Sequence, residues 1–401
     1  MKKLLSMLCV LTLILGLAPA ALADLATVTA LEVVVDENAT LYTRMSPEMI
    51  PLTVNALMSN GKTKDVTKNT VISGDMSTVG PCEMTATYTR NGATSTAVFT
   101  VNVQNSIFVA DAIPAEYRGE VEQKGTVEHL EYTTHVYDAQ GNTDGEDVTN
   151  ECYIYLPYGY TPEKDYNILY LMHGGGENAG YWLAQGLYAP GGEKDLGGET
   201  FTVELLDNLI AKGYCRELIV VTPCIKTSNK YGFNSVSEFQ YEFKNDLVPA
   251  VEAKYATYAK GDVSPENLIA TRDHRAYDGL SMGSMTGWSS ILMGCTDYVG
   301  WVGNFSGCKA NVPAIAESLN TTYAAYPLNY WYNGNGTGDM AHDEHLDAYH
   351  QLLSLTGVRF TEGEDFRAGQ NCIFVDKPNK VHSYASWVID LYNTLRVFFA
   401  E

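Results

Sequence analysis

Positive charge is scarce in this chain. Its 401 residues carry 26 Lys and Arg against 48 Asp and Glu, for a formal net charge of −22. A surface so acidic repels phosphate backbones and anionic headgroups, which excludes nucleic acid and membrane surfaces as partners and favours neutral substrates. Cysteine is sparse and unpatterned. There are 8 in all, with no CxxC or Cys/His spacing of a zinc site. They read as small core residues, and no disulfide framework is specified. Neither GxxxxGK[ST] nor GxGxxG occurs, so the glycine-rich segments are not phosphate cradles.

Long apolar runs are also missing, with one exception at the start. "MKKLLSMLCVLTLILGLAPAALA" has two lysines, an apolar stretch from Leu4 to Leu17 and a small-residue Ala21-Leu22-Ala23 site. This reads as a secretory signal peptide over residues 1–23 rather than a membrane anchor, since the run is short and ends at Pro19. The expectation is an exported chain with no membrane association once the signal is removed.

Residues 24–105 are rich in Thr and Val, with alternating stretches such as "LEVVVD", "MTATYTR" and "STAVFTVNV" separated by "SNGK" and "RNGA". Alternation punctuated by Asn-Gly predicts antiparallel hairpins, and several in so short a span predict a small β-sandwich. The segment resembles bacterial Ig-like modules appended to secreted proteins. That resemblance implies a spacer, or a module contacting carbohydrate or cell surface, without chemistry of its own.

From residue 106 to 401 the texture changes. Apolar runs ("YNILYLMH", "ELIVVTP", "HRAYDGLS", "YVGWVGNFSG") alternate with amphipathic segments ("TVELLDNLIAKG", "EFQYEFKNDLVPAVEAKY"). Strands buried on both faces and alternating with helices predict an α/β fold, a mostly parallel sheet covered on both sides. Ligands then bind beyond the carboxyl ends of the strands.

"HRAYDGLSMGSMTGW" places Ser281 between glycines at 279 and 283, after a strand expected over His274–Gly279 and before a helix expected over Gly283–Met293. Glycines two before and two after let backbones approach, so a sharp strand-to-helix turn presents the hydroxyl as a nucleophile. A hydroxyl needs a base, and the base an orienting acid, in the chain order Ser, acid, His. His382, in the loop between a last strand "NCIFVD" and a C-terminal helix, is the expected base. His342, His345 and His350 also lie downstream. Asp339 follows an aromatic strand and a glycine-rich bend and is the expected acid, with Asp343, Glu344 and Asp347 as competitors.

The cluster His342-Asp343-Glu344-His345 is not HExxH and reads as a solvated helix start, so no metal is expected. "LYLMHGGGENAGYW" supplies glycines after a strand ending at Met172. The oxyanion donors are expected from the amides of Gly175 and Met282, the residue after the nucleophile. Tyr181 and Trp182, just beyond, are candidates to flank a planar phenolic acid, with core packing the alternative. No cofactor is required.

Taken together, "IPAEYRGEVEQKGTVEHLEY", "CYIYLPYGYTPEKDYNILYLMHGGGENAGYW", "RDHRAYDGLSMGSMTGW", "NFSG", "NGTGD" and "HSYASW" resemble the secreted feruloyl esterases of the esterase D-like α/β-hydrolase family. That family also holds acetylxylan esterases and mycolyltransferases. The resemblance implies hydrolysis of feruloyl esters on a plant polysaccharide such as arabinoxylan, with nucleophile Ser281, acid Asp339, base His382 and oxyanion amides at Gly175 and Met282. Small-acyl or siderophore esters, or an inactive polysaccharide-binding domain, are the alternatives. The family usually has glycines where this chain has Ser284 and Met285, and 183–200 is also atypical. Both departures are expected near the acyl group, the second as a possible lid.

Overall fold

A computed structural model describes residues 26–400 except 37, 38, 40, 44, 46, 120, 185–200 and 226–235. The signal peptide expected over 1–23 and most of the segment at 183–200 lie outside the described residues. The chain divides into two compact units, Met1–Ile107 and Phe108–Glu401.

The first unit is all β. A three-stranded sheet, ordered β1-β3-β4, contains β1 (Val28–Val35), β3 (Leu52–Met58) and β4 (Thr63–Asp65). A four-stranded sheet, ordered β2-β7-β6-β5, contains β2 (Leu41–Tyr42), β5 (Thr70–Gly74), β6 (Gly80–Arg90) and β7 (Ala93–Gln104). The alternation in β6 and β7 puts Cys82, Met84, Ala86 and Tyr88 on the same buried side as Ala97, Phe99, Val101 and Val103. Arg90 pairs with Ala93 across a two-residue turn in which Asn91 and Gly92 have φ of 51° and 78°. Two positive φ angles are what a right-twisted hairpin turn demands, and Asn-Gly tolerates both.

The second unit contains an eight-stranded sheet ordered β15-β14-β13-β12-β10-β11-β9-β8. Six of its strands run parallel: β10 (Asn167–Met172), β11 (Leu218–Pro223), β12 (Arg275–Leu280), β13 (Trp301–Phe305), β14 (Tyr330–Gly336) and β15 (Cys372–Lys377). The remaining pair, β8 (Thr126–Tyr137) and β9 (Thr143–Leu156), forms an antiparallel hairpin at one edge.

The helices are α1 (Phe201–Ala211), α2 (Phe239–Glu242), α3 (Val248–Glu252), α4 (Pro265–Ala270), α5 (Met282–Thr286), α6 (Val312–Asn320), α7 (His342–Thr356) and α8 (Tyr384–Val397). The helix-like segment expected in "EFQYEFKNDLVPAVEAKY" is interrupted by a π-helical turn at Phe243–Leu247. The helix expected over Gly283–Met293 likewise passes from α5 into a π-helical turn at Gly287–Leu292. There Asn304 Nδ2 would stand 2.3 Å from a Cβ at Gly287, so helix and sheet touch backbone to side chain.

Five of the six parallel strands, β15 excepted, are runs of five or more consecutive buried residues because both faces are covered. Alternate residues feed opposite cores: Tyr170 and Met172 join Phe243, Trp288 and Trp331, while Leu169 and Leu171 join Leu205, Val388 and Leu391. Fully burying one such leucine contributes about 1.5–3 kcal/mol. This clamps β10, β12, β14 and β15 so that their carboxyl ends share one rim.

Candidate active site

Ser281 follows β12 directly and caps α5. Its φ of 49° and ψ of −110° are an unusual conformation for a residue with a side chain. Backbone contacts on both sides hold it there. Its N–H donates to Phe305 O at 2.8 Å, and its carbonyl accepts the Met285 N–H at 2.9 Å.

The flanking glycines have steric causes. A Cβ on Gly279 would sit 2.4 Å from the Gly283 carbonyl, and one on Gly283 would sit 2.7 Å from His173 O and 2.8 Å from Met172 O. No flexible side chain could yield at either place, so only hydrogen fits. The second contact also presses the serine turn against the start of the loop after β10.

His382 lies between β15 and α8 and is half-buried. Its Nδ1 is 3.0 Å from both Asp339 oxygens, and its Nε2 is 2.9 Å from Ser281 Oγ. With Nδ1–H donating to the carboxylate, Nε2 is left to accept the serine proton. Burial of Asp339 opposes its charge, but the hydrogen bond from His382, the Ala341 N–H at 2.9 Å and the nearby imidazole outweigh it. Its carboxyl therefore titrates below the ordinary range. The structure thus brings together three side chains that are 43 and 101 residues apart in sequence, each beyond the carboxyl end of a different strand.

Of the competing acids, Asp343 and Glu344 open α7, where Asp343 pairs with His342 Nδ1 at 2.9 Å, and Asp347 is exposed farther along the helix. The solvated helix start expected there holds for the exposed Asp343 and Glu344 and is corrected for the two histidines. His342 is half-buried between Asp343 and Asp376, the latter 2.7 Å from Nε2, and the Asp376 hydrogen bond raises its pKa to about 9. His345 is fully buried. It lies 3.1 Å from Asn333 Oδ1 and accepts the Gly307 N–H at 3.3 Å, and burial holds its pKa down at about 3, so it stays neutral. Among the described residues, no cluster of His, Cys, Asp or Glu could hold a metal.

Gly175 is exposed in the turn after β10, and Met282 is the first residue of α5, where an amide has no partner within its own helix. Trp182 requires a correction. It is fully buried, its indole N–H donates to Met172 O at 3.2 Å, and its ring packs on Tyr384. It supports the loop from behind and presents no face to a ligand. Tyr181 is half-buried, its ring edge-on to both Trp182 and Tyr384.

Ser284 is also turned inward, its hydroxyl donating to Gly307 O at 2.5 Å. The departure from glycine at 284 therefore ties the serine turn to the loop after β13 and does not reach toward an acyl group. Residues 185–200 are outside the described set. One residue of the site carried no expectation from sequence: Glu177, whose carboxylate accepts the Gly174 N–H at 2.5 Å. A carboxylate three residues past the first glycine of "GGGEN" is the signal that was available.

No family model matches the chain. Among solved structures, a serine-to-alanine mutant of the feruloyl esterase module from Clostridium thermocellum, complexed with sinapinate, is 28% identical with a TM-score of 0.61, covering 74% of this chain and 96% of that one. Endo-1,4-beta-xylanase Y of Acetivibrio thermocellus is 32% identical over 262 residues, 63% of this chain and 22% of its own.

The second unit has the fold of the α/β-hydrolase esterases and is similar in sequence to a feruloyl esterase module.

The second unit also shares its fold with a ferulic acid esterase from Anaeromyces mucronatus, at 18% identity, a TM-score of 0.52 and coverage of 73% and 97%. An endo-1,4-beta-xylanase/feruloyl esterase of Xylanibacter ruminicola is 31% identical over 142 residues, 33% of this chain and 16% of its own. The chain therefore spans about a fifth of the length of the curated relatives it matches.

Proposed function

We propose that the esterase unit is a serine esterase that releases hydroxycinnamoyl groups, feruloyl above all, from plant cell-wall polysaccharide such as arabinoxylan. The observation that carries this reading is His382 held within hydrogen-bond reach of both Ser281 and Asp339. Relatives whose names join xylanase and feruloyl esterase support the substrate class.

In this mechanism Nε2 of His382 takes the Ser281 proton as Oγ attacks the ester carbonyl. Gly175 and Met282 amides hold the oxyanion, and Asp339 holds the imidazolium. Collapse expels the sugar hydroxyl, which receives the proton from His382 and leaves the acyl group on Ser281. Water, deprotonated by His382, then attacks the acyl-enzyme and frees the acid together with the serine hydroxyl. Every proton moved is accounted for by the imidazole, so the cycle needs no cofactor.

The remaining regions fit an exported enzyme. Residues 1–23 act as the leader and 24–105 as an Ig-like module that contacts carbohydrate or a cell surface. N-terminal sequencing of the mature protein tests the first, and binding of residues 24–105 to insoluble xylan the second.

Rates on methyl ferulate and on acetylated xylan, each with Ser281→Ala as control, test the main reading. Turnover of methyl ferulate that Ser281→Ala abolishes is the expected result. Preference for acetylated xylan moves the assignment to deacetylation, and turnover indifferent to Ser281 overturns the serine mechanism.

A further inference from the structure

The loop that carries Gly175 is short, glycine-rich and exposed at its tip. Nothing in three consecutive glycines fixes their amides, yet an oxyanion donor must be placed to a fraction of an ångström before reaction. Whatever restrains this loop is therefore part of how the site works.

Glu177 supplies the restraint. Its Oε2 accepts the Gly174 N–H at 2.5 Å, closing a tight turn around Gly175 and Gly176, and the Glu177 N–H donates back to Gly174 O at 3.4 Å. The same carboxylate accepts a hydrogen bond from the Tyr181 hydroxyl. The Tyr181 ring packs on Tyr384, the first residue of α8 and two beyond His382. The Tyr384 hydroxyl is in turn 2.6 Å from Thr202 Oγ1 on α1. One carboxylate thus joins the oxyanion loop to the segment that carries the base.

We propose that Glu177 is a positioning residue of this esterase, its carboxylate holding the Gly174 amide so that the neighbouring Gly175 amide is fixed for oxyanion binding, and coupling that loop, through Tyr181 and Tyr384, to His382. This rests on the serine-esterase reading above.

The titratable groups facing Glu177 are Tyr181 from its own loop and His382 from the β15–α8 loop, with Tyr384 of α8 behind Tyr181. Leu280 of β12 packs beside Gly174 and keeps that side apolar. Burial is the dominant influence and outweighs the two hydrogen bonds and the His382 field, so the Glu177 carboxyl titrates at about 7. Below that pH the carboxylate gains a proton and accepts the Gly174 and Tyr181 hydrogens less strongly. The oxyanion loop is then held best on the alkaline side of neutrality.

The test uses the full chain and p-nitrophenyl acetate, an activated ester whose turnover needs no recognition of a polysaccharide leaving group. Glu177→Gln keeps an acceptor oxygen but removes the charge. Its kcat is expected to fall about 10-fold with KM within twofold, and the shape of its pH profile to change around neutrality. Glu177→Ala removes the acceptor as well, and a loss on the order of 10²-fold is expected, the scale of a lost oxyanion donor. Tyr181→Phe, which leaves the backbone contacts alone, gives a smaller kcat loss in the same direction and decides the matter should Glu177→Ala unfold.

A Gln variant with wild-type kcat and pH profile, or variants that raise KM alone, overturns the positioning role while Ser281-dependent turnover stands. A wild-type protein with no Ser281-dependent turnover overturns the esterase reading and this inference together.

Discussion

Among the described residues, the side chains buried in Met1–Ile107 are hydrophobic throughout, from Val54 and Met84 to Phe99 and Val103. Phe108–Glu401 also buries charge. Arg275, at the start of β12, is fully buried and bonds both oxygens of Glu252, at 2.5 and 3.1 Å. Lys377, at the end of β15, meets Asp390 of α8 at 2.5 Å with neither exposed to solvent. Such pairs contribute little net stability, because desolvation offsets the attraction. They sit where geometry matters: Arg275 anchors the strand that leads into Ser281, and Lys377 lies five residues before His382. The large unit has to hold two loops in register as well as stay folded.

Four measurements sharpen or break that contrast. The largest effect is expected from Ser281→Ala, with kcat on methyl ferulate falling about 10⁶-fold in a protein that still unfolds cooperatively. Asp339→Asn, with the imidazole left in the wrong tautomer, is expected to lose about 10⁴-fold. A modest loss in either would mean that the alignment of the three side chains is not what the site uses.

Next comes the buried charge. Lys377→Met strands Asp390 and is expected to cost about 3–5 kcal/mol in urea unfolding, while the double change Lys377→Met with Asp390→Leu returns close to wild type. Met84→Ala in the small unit is expected to cost about 2–5 kcal/mol with kcat unchanged. Should the double variant recover stability but not turnover, the pair's role as a positioner of the His382 loop is sharpened. If it recovers both, the pair has no positioning role.

Gly283→Ala is expected to push the serine turn off the His173 and Met172 carbonyls and cost about 10²-fold in kcat, the scale of a 1 Å misplacement. Wild-type activity in that variant would show that the loop and turn can part without harm.

The smallest effect is a pH dependence of stability. His342, raised to about 9 by its carboxylate neighbours, is charged in the folded state across neutrality. Its contribution is complete below the unfolded value of about 6.5 and fades as pH rises through about 9. Tm should therefore fall between pH 7 and 10 by more in wild type than in His342→Gln. Equal slopes would remove the His342–Asp376 pair from the account.

Much of the candidate site was legible from sequence because Ser281, Asp339 and His382 each lie next to a strong local signal. Ser281 sits between two glycines, Asp339 follows "NGNG", and His382 stands between a buried strand and an amphipathic helix. What escaped was contact between segments. Trp182 and Tyr181 are adjacent aromatics in sequence, yet one is sealed against Met172 O and the other half-buried beside Glu177. His342 and His345 look equally hydrophilic in the string, but one turn of α7 separates a charged, paired imidazole from a neutral one in the core. The π-helical turns after Glu242 and Thr286 leave no mark in a 3.6-residue periodicity.

The sequence by itself determined the two textures, the order of strands and helices in the second unit, and which serine lies on a glycine-flanked bend, because periodicity and steric size act locally. Only the tertiary structure decided which carboxylate reaches His382, which aromatic turns inward, and that Glu177 faces the imidazole. Those outcomes depend on distances between segments up to 205 residues apart, which are set by the packing of sheet and helices on both faces.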